Sequence, residues 1–295
     1  MHLSMHNWMR AESPEVTIRR LKKYGFESIE ISGEPEIYNA KELRKTLKDN
    51  GIRCWGAVTL MLKDRNLLAK NEAQRASSVK YTKDCVTLVK EMDGYELTIV
   101  PCTVGKINPE ATPEEEWQWA VESLKEVQAF ASVAGVKLAL EPLNRFETYF
   151  CSRAAQAIAL AKAVGPECGV CLDAFHLNIE EADPYAAIMS AKGLLVDFHV
   201  ADSNRMAPGM GHWDWLKLVG TLKLIGYDGA LTAEFVAPID RTPANQYPNA
   251  IETKPVDISP EQLKFIQEHG SSLLTGEFYE WLVGKTAETL LPLIK

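Results

Sequence analysis

The amino-acid sequence predicts a single (β/α)8 barrel of the TIM type with an extended segment after its eighth strand. Three observations carry that expectation. The 295 residues suit one barrel domain, which commonly takes roughly 250. Eight short apolar runs rich in Val, Ile and Leu alternate with helix-patterned segments, as parallel strands beneath a layer of helices require. Four ionisable residues, Glu141, Asp173, His199 and Glu234, close the last four runs: KLALE, GVCLD, LLVDFH and GALTAE. Their spacings of 32, 26 and 35 residues each match about one strand–helix unit.

The elements follow in order. His2–Met5 reads as the first strand, and a helix starts at Pro14, with Ser13 as N-cap and proline at the first helical position. ESIEIS is the second strand; the helix AKELRKTLKDN ends at Gly51 as its C′ glycine. IRCWGAV is the third strand, before a long helix over 72–92. YELTIV is the fourth. Its helix opens at Thr112-Pro with acids in the first turn, where the helix dipole favours them, and ends near Gly135. KLALE, GVCLD, LLVDFH and GALTAE are strands five to eight; SRAAQAIALAKAVG, DPYAAIMSAKG and WDWLKLVGTLKLIG are the helices between them.

No linker divides the chain, so residues 1–295 read as one domain. The rhythm breaks at 237–259, a polar, Pro- and Asn-rich stretch too long for an ordinary connection. It follows strand eight, so it is expected as a long loop on the face where barrels carry their chemistry. Residues 260–295 read as a C-terminal helical region that includes the eighth helix.

A net charge of −8 without a Lys/Arg-rich run argues against nucleic acid as a partner. No 18-residue apolar stretch suggests a membrane span. The start, MHLSMHNWMRAESPE, lacks the pattern of a secretory signal, so a cytoplasmic location is expected. The six cysteines read as reduced core thiols, including the Cys168–Cys171 pair, which lacks the second pair of a zinc knuckle.

Charged side chains at inward strand tips are costly unless paired or metal-bound, and three carboxylates together repel. One divalent cation resolves both problems. Two glutamates, an aspartate and an imidazole suit Mn²⁺, Co²⁺ or Mg²⁺ better than a thiolate zinc site. The plain alternative, strand-end groups hydrogen-bonded to loop amides, fits any one residue but not four in succession. His176, three residues past Asp173, can face the same pocket. Arg205, on the seventh loop, can clamp an oxygen with its rigid fork. Glu147 can hold a hydroxyl, orient His176, or cap the helix near Ser152. Trp8 and Trp55 read as core residues that could also wall the pocket. Gly209–His212 reads as a turn, with His212 structural and Trp213 and Trp215 packing.

The motifs LALEPLNRFE, DAFHLNIEE, HVADSNRMAPGMGHWDW and GALTAEF resemble the ketose 3-epimerases, the D-tagatose/D-allulose 3-epimerase group of the xylose-isomerase-like barrel superfamily. The resemblance spans strands one to eight and is loose in the N-terminal third. It implies metal ligation by Glu141, Asp173, His199 and Glu234, with Mn²⁺ the leading candidate, and substrate contacts from Glu147, His176 and Arg205. It also implies C3 epimerisation of a ketose through a cis-enediolate: one of Glu141 and Glu234 removes a proton and the other returns one to the opposite face. A homo-oligomer is expected on the same ground. The chain departs from the pattern at Asp202, where the family often has Glu, and in the length of 237–259.

That length keeps other substrates in view. The catalytic subunits of C-glycoside deglycosidases, which act on 3-keto glycosides with a small β-rich partner subunit, look like the same barrel, and inosose isomerases and dehydratases share it. An endonuclease of this superfamily would use a His-rich multi-zinc site, which six histidines in an acidic chain do not favour. A non-catalytic sugar-binding barrel would show no metal-dependent turnover.

Overall fold

The computed structural model describes residues 1–240, 242–252, 258–271 and 273–295. Eight parallel strands surround one axis in chain order: β1 (His2–Met5), β2 (Ser28–Gly33), β3 (Arg53–Thr59), β4 (Glu96–Ile99), β5 (Lys137–Leu140), β6 (Cys168–Asp173), β7 (Leu195–Val200) and β8 (Ala230–Ala233). Ladders run from β2 round to β8 and from β8 to β1. Among the described residues, β1 meets β2 through one parallel bridge, His6 opposite Glu30. Backbone bonds from Glu27 to Leu3 (3.0 Å) and from Asn7 to Glu30 (3.3 Å) flank this seam, so the barrel is nearly closed.

The connecting helices are α1 (Pro14–Lys23), α2 (Ala40–Asn50), α3 (Glu72–Glu91), α4 (Pro113–Ala134), α5 (Ala154–Val164), α6 (Ala174–Glu180), α7 (Pro184–Ser190) and α8 (Trp215–Leu224), with α9 (Pro260–His269) and α10 (Gly276–Ile294) after the last strand. Their ends obey local chemistry. Thr112 and Glu115 form a capping box on α4, which ends at Gly135 with φ 78°; Asn39 caps α2, which ends at Gly51 with φ 72°. α10 packs on β1 and α8 and completes the ring, burying Tyr279, Leu282, Val283 and Leu290.

One helix was not expected. α6 begins directly after β6, with Asp173 as both last strand residue and N-cap. A seven-residue helix is too short to show a hydrophobic period. The long loop expected at 237–259 falls partly on residues 241 and 253–257, outside the described residues. Its described parts carry turns and one bridge, Ile251 opposite Leu274.

The strands are less uniform than their apolar runs suggest. β2 alternates Ser28, Glu30 and Ser32 with Ile29 and Ile31; β7 alternates Asp197 and His199 with Phe198 and Val200. All of these are buried. The apolar set faces the helices and the polar set faces the barrel axis, as the two-residue period demands.

Candidate active site

The four strand-tip residues come together. Asp173 and His199 are register partners across β6 and β7. Glu141 lies one residue beyond β5 and Glu234 one beyond β8. Each is still held by a ladder bond, Glu141 N to Ile99 O (2.9 Å) and Glu234 N to Val200 O (3.1 Å). His199 Nδ1 stands 3.1 Å from Glu141 Oε1 and 3.1 Å from Glu234 Oε2. One donor atom from each of the four residues lies within 4.8 Å of all the others, and all four residues are buried.

This donor set fits a divalent cation. Asp173 Oδ1 accepts from the backbone N–H groups of Phe175 and His176, capping α6. Its Oδ2 is buried with no hydrogen-bond partner, and so is Glu234 Oε2. Orphaned carboxylate oxygens are costly in a dry site, and a shared cation satisfies them. Burial pushes the Asp173 carboxyl up to about 6 and also raises Glu141, with His199 opposing the shift. Burial alone would depress His199, but Cys171, Glu141, Glu30 and Glu234 around it hold it well above its usual range. The cluster thus demands positive charge, which a divalent ion supplies more fully than an imidazolium. Cys171 belongs to the layer beneath, buried within reach of Glu141 and His199.

The cluster opens into a cavity of about 510 Å³ lined by Glu141, Glu147, His176, Arg205 and Glu234 on its polar side. Val58, Leu60, Met61, Val100 and Val104 form an apolar wall opposite, with Trp8. Trp55 lies elsewhere. It packs against His2 and Tyr95 at the other mouth of the barrel, because it is the third residue of a seven-residue strand.

Glu147 caps no helix. It pairs with Arg205 Nη1 at 2.5 Å and accepts from Asn144 Nδ2 at 2.9 Å. Burial would raise its carboxyl, but Arg205 holds it below the usual range. Asn144 Nδ2 also reaches His176 Nδ1 at 2.9 Å. An Nδ1 that accepts leaves Nε2 as the protonated nitrogen. Burial depresses His176, so the ring is a neutral donor.

Arg205 is a non-glycine residue at φ 59°, a conformation that needs surrounding support. Asp202 provides it. Its carboxylate accepts from the N–H groups of Ser203, Gly209 and Trp213 and from Trp215 Nε1, gathering the loop that presents Arg205. A Cβ on Gly211 would lie 2.1 Å from Asp202 Oδ1, so the loop closes round this aspartate only with glycine there. The shorter Asp is therefore the centre of the turn. Trp215 packs as expected, and His212 bonds Ser203 at the surface.

Sequence reasoning missed several residues. Asn144 and the hub role of Asp202 follow from contacts 32 and 11–13 residues away. The end of α9 also reaches the cavity, with Gln267, Glu268, His269 and Gly270 on its rim. No α9 residue is buried; the helix is held by His269 Nε2 to Glu34 Oε2 (2.9 Å) and Lys63 to Glu268 (3.5 Å). No helix is long and apolar enough to cross a membrane among the described residues.

Residues 18–269 match the family described as xylose isomerase-like TIM barrel. The chain is 32% identical to D-psicose 3-epimerase of Agrobacterium fabrum over 236 residues, covering 78% of this chain and 81% of the relative. It is 30% identical to L-ribulose 3-epimerase of Mesorhizobium japonicum over 223 residues, covering 75% and 74%. The solved D-psicose 3-epimerase of Clostridium cellulolyticum H10, crystallised with D-tagatose, shares the fold over the full length of both chains, with a TM-score of 0.82 at 22% identity. The chain belongs to the xylose isomerase-like TIM barrel family, as an enzyme of the isomerase and epimerase type.

Proposed function

We propose that the chain is a divalent-metal-dependent ketose 3-epimerase, with Glu141 and Glu234 as the two proton-transfer groups. The observation that carries this reading is the pair of carboxylates from β5 and β8 on a shared imidazole, His199, at 3.1 Å each. Two carboxylates approaching from different strands can serve opposite faces of one carbon: one removes the proton beside the carbonyl, and the other returns one. The cation held by Glu141, Asp173, His199 and Glu234, best Mn²⁺ for this oxygen–nitrogen set, supplies a Lewis acid beside the carbonyl.

The surrounding residues place the substrate. Arg205, fixed by Glu147 and the Asp202 turn, presents a rigid cationic fork to an oxygen. His176 donates from Nε2 to a hydroxyl or carbonyl. The wall of Val58, Met61 and Val100 excludes water and packs the carbon face of the sugar.

Solvent exchange tests this. Ketose incubated in D₂O with the Mn²⁺-loaded enzyme is expected to gain deuterium at C3 and to appear as both epimers. Absence of incorporation across a panel of free ketoses and 3-keto glycosides would falsify the proton-transfer reading. The panel also decides a second reading, a 3-keto glycoside as substrate.

A further inference from the structure

We infer that Glu30, on the opposite side of the barrel from the ligand strands β6 and β7, is the positioning residue that fixes the orientation and tautomer of His199 for metal binding. This rests on the metal reading above and extends it below the cluster. His199 presents two nitrogens to two different environments. Nδ1 faces the Glu141 and Glu234 carboxylates, while Nε2 faces inward, 3.2 Å from Glu30 Oε2 and 3.4 Å from Asp197 Oδ2. A metal-ligating Nδ1 must be free of its proton, so Nε2 carries it and needs an acceptor.

Of the two candidates, Glu30 is the one available. Asp197 is already engaged by the Thr232 hydroxyl, whose Oγ1 lies 3.0 Å from Oδ2 and 3.2 Å from Oδ1, while the Tyr227 hydroxyl donates to the Ala230 carbonyl at 2.6 Å. Both Glu30 oxygens and His199 Nε2 are buried without a hydrogen-bond partner, so two unsatisfied groups face each other at 3.2 Å, and the Glu30 side chain is fully buried. Two imidazoles lie within salt-bridge distance of it, His199 and, at 3.3 Å, His6 Nε2. The rings of His6 and His199 meet edge to face at 4.8 Å, so they hold the carboxylate between them.

The backbone is shaped to aim this side chain. The β2–β3 register shifts between Ile29 and Glu30, the sort of irregularity that redirects a side chain. Glu30 is also the residue opposite His6 in the bridge that closes the β1–β2 seam. A carboxylate in the barrel axis has no packing value, and burying it uncompensated is expensive. Orienting His199 accounts for its presence.

Calorimetric titration of chelator-stripped protein with Mn²⁺ and Co²⁺ tests the inference. Glu30→Ala is expected to bind Mn²⁺ about 10- to 100-fold more weakly than wild type, the usual cost of losing such a partner. The melting temperature of the stripped protein should not fall. Glu30→Gln keeps an accepting oxygen and is expected to restore affinity to within a few-fold of wild type, which a merely structural role would not require. Should the alanine variant not fold, Glu30→Met, of similar length and without an acceptor, makes the same comparison. Wild-type affinity in Glu30→Ala or Glu30→Met overturns the inference, as does a loss confined to Asp197→Asn. Wild-type protein that binds neither ion overturns the metal reading itself.

Discussion

The inner and outer faces of the same strands are built on opposite principles. Outward, β2, β4, β7 and β8 present Ile29 and Ile31, Leu97 and Ile99, Phe198 and Val200, and Leu231 and Ala233, all buried under helices. Inward, the same strands present Glu30, Glu96 and Thr98, Asp197 and His199, and Thr232. TIM barrels usually fill the axis with Val, Ile and Leu. Here the hydrophobic stabilisation lies between sheet and helices, and the axis supports the polar site. Gly56 shows the accommodation: a Cβ there would lie 2.0 Å from Glu96 Oε1, so β3 gives up a side chain to let a carboxylate turn inward.

Substitutions on the two faces should therefore fail in different ways. Glu234→Gln, at the inner tip, is expected to lower turnover by about 10²- to 10⁴-fold, the usual worth of a general acid–base group, with no fall in melting temperature. Retained full activity in a ketose assay would remove Glu234 from the mechanism. Phe198→Ala, on the outer face of the strand that carries His199, should do the reverse. It is expected to destabilise by about 3–5 kcal/mol in denaturant unfolding, while the folded protein keeps its Mn²⁺ affinity. Loss of metal binding at unchanged stability would show that the two faces are not separable.

Metal addition sharpens the contrast from the other side. Mn²⁺ at a hundred times its dissociation constant should stabilise the folded chain by about 2.7 kcal/mol, read as a rise in melting temperature, and Glu141→Gln should reduce that rise. No rise in the wild type would argue against a preformed site.

The smallest effect is expected at α9, which packs Phe265 against the core but has no fully buried residue. Burial would lower the His269 pKa, but the Glu34 carboxylate at 2.9 Å raises it above 6.5; Glu34 itself is lowered, with His269 overcoming its burial. A raised histidine contributes stability that is present at low pH and lost as pH rises through its folded pKa. A lowered carboxylate contributes only above its unfolded pKa, near 4.5. The pin should therefore hold between these limits and weaken at alkaline pH. Amide exchange in α9 is the measurement; protection that does not change with pH, or that survives Glu34→Gln unaltered, would discard the pin.

Much of this was legible in the chain. Apolar runs ended by Glu141, Asp173, His199 and Glu234 define both the strands and the convergence of their tips, because strand direction and length place such residues on one mouth. Helix ends at Thr112, Gly51 and Gly135 were equally readable, since capping is local. Glu30 and Asp197 were overlooked inside runs that looked apolar, although ESIEIS and VDFHV alternate with period two. Trp55 reads in the sequence as a core residue that could also wall the pocket; its packing on His2 and Tyr95 keeps the first reading, because position along a strand, not strand membership, decides which mouth a residue serves.

The sequence by itself determined the barrel, the order of its elements and the four tip residues, because each depends on hydrophobic period, caps and spacing within about one strand–helix unit. Only the tertiary structure decided how those residues are supported: His199 between Glu141 and Glu30, Asn144 on His176, Asp202 beneath Arg205, and α9 on the rim. These pairings join residues 3 to 235 positions apart in hydrogen bonds a few ångströms long. Apart from the Asp202–Arg205 turn, such contacts depend on where closure of the barrel brings the chain, and no local pattern encodes that.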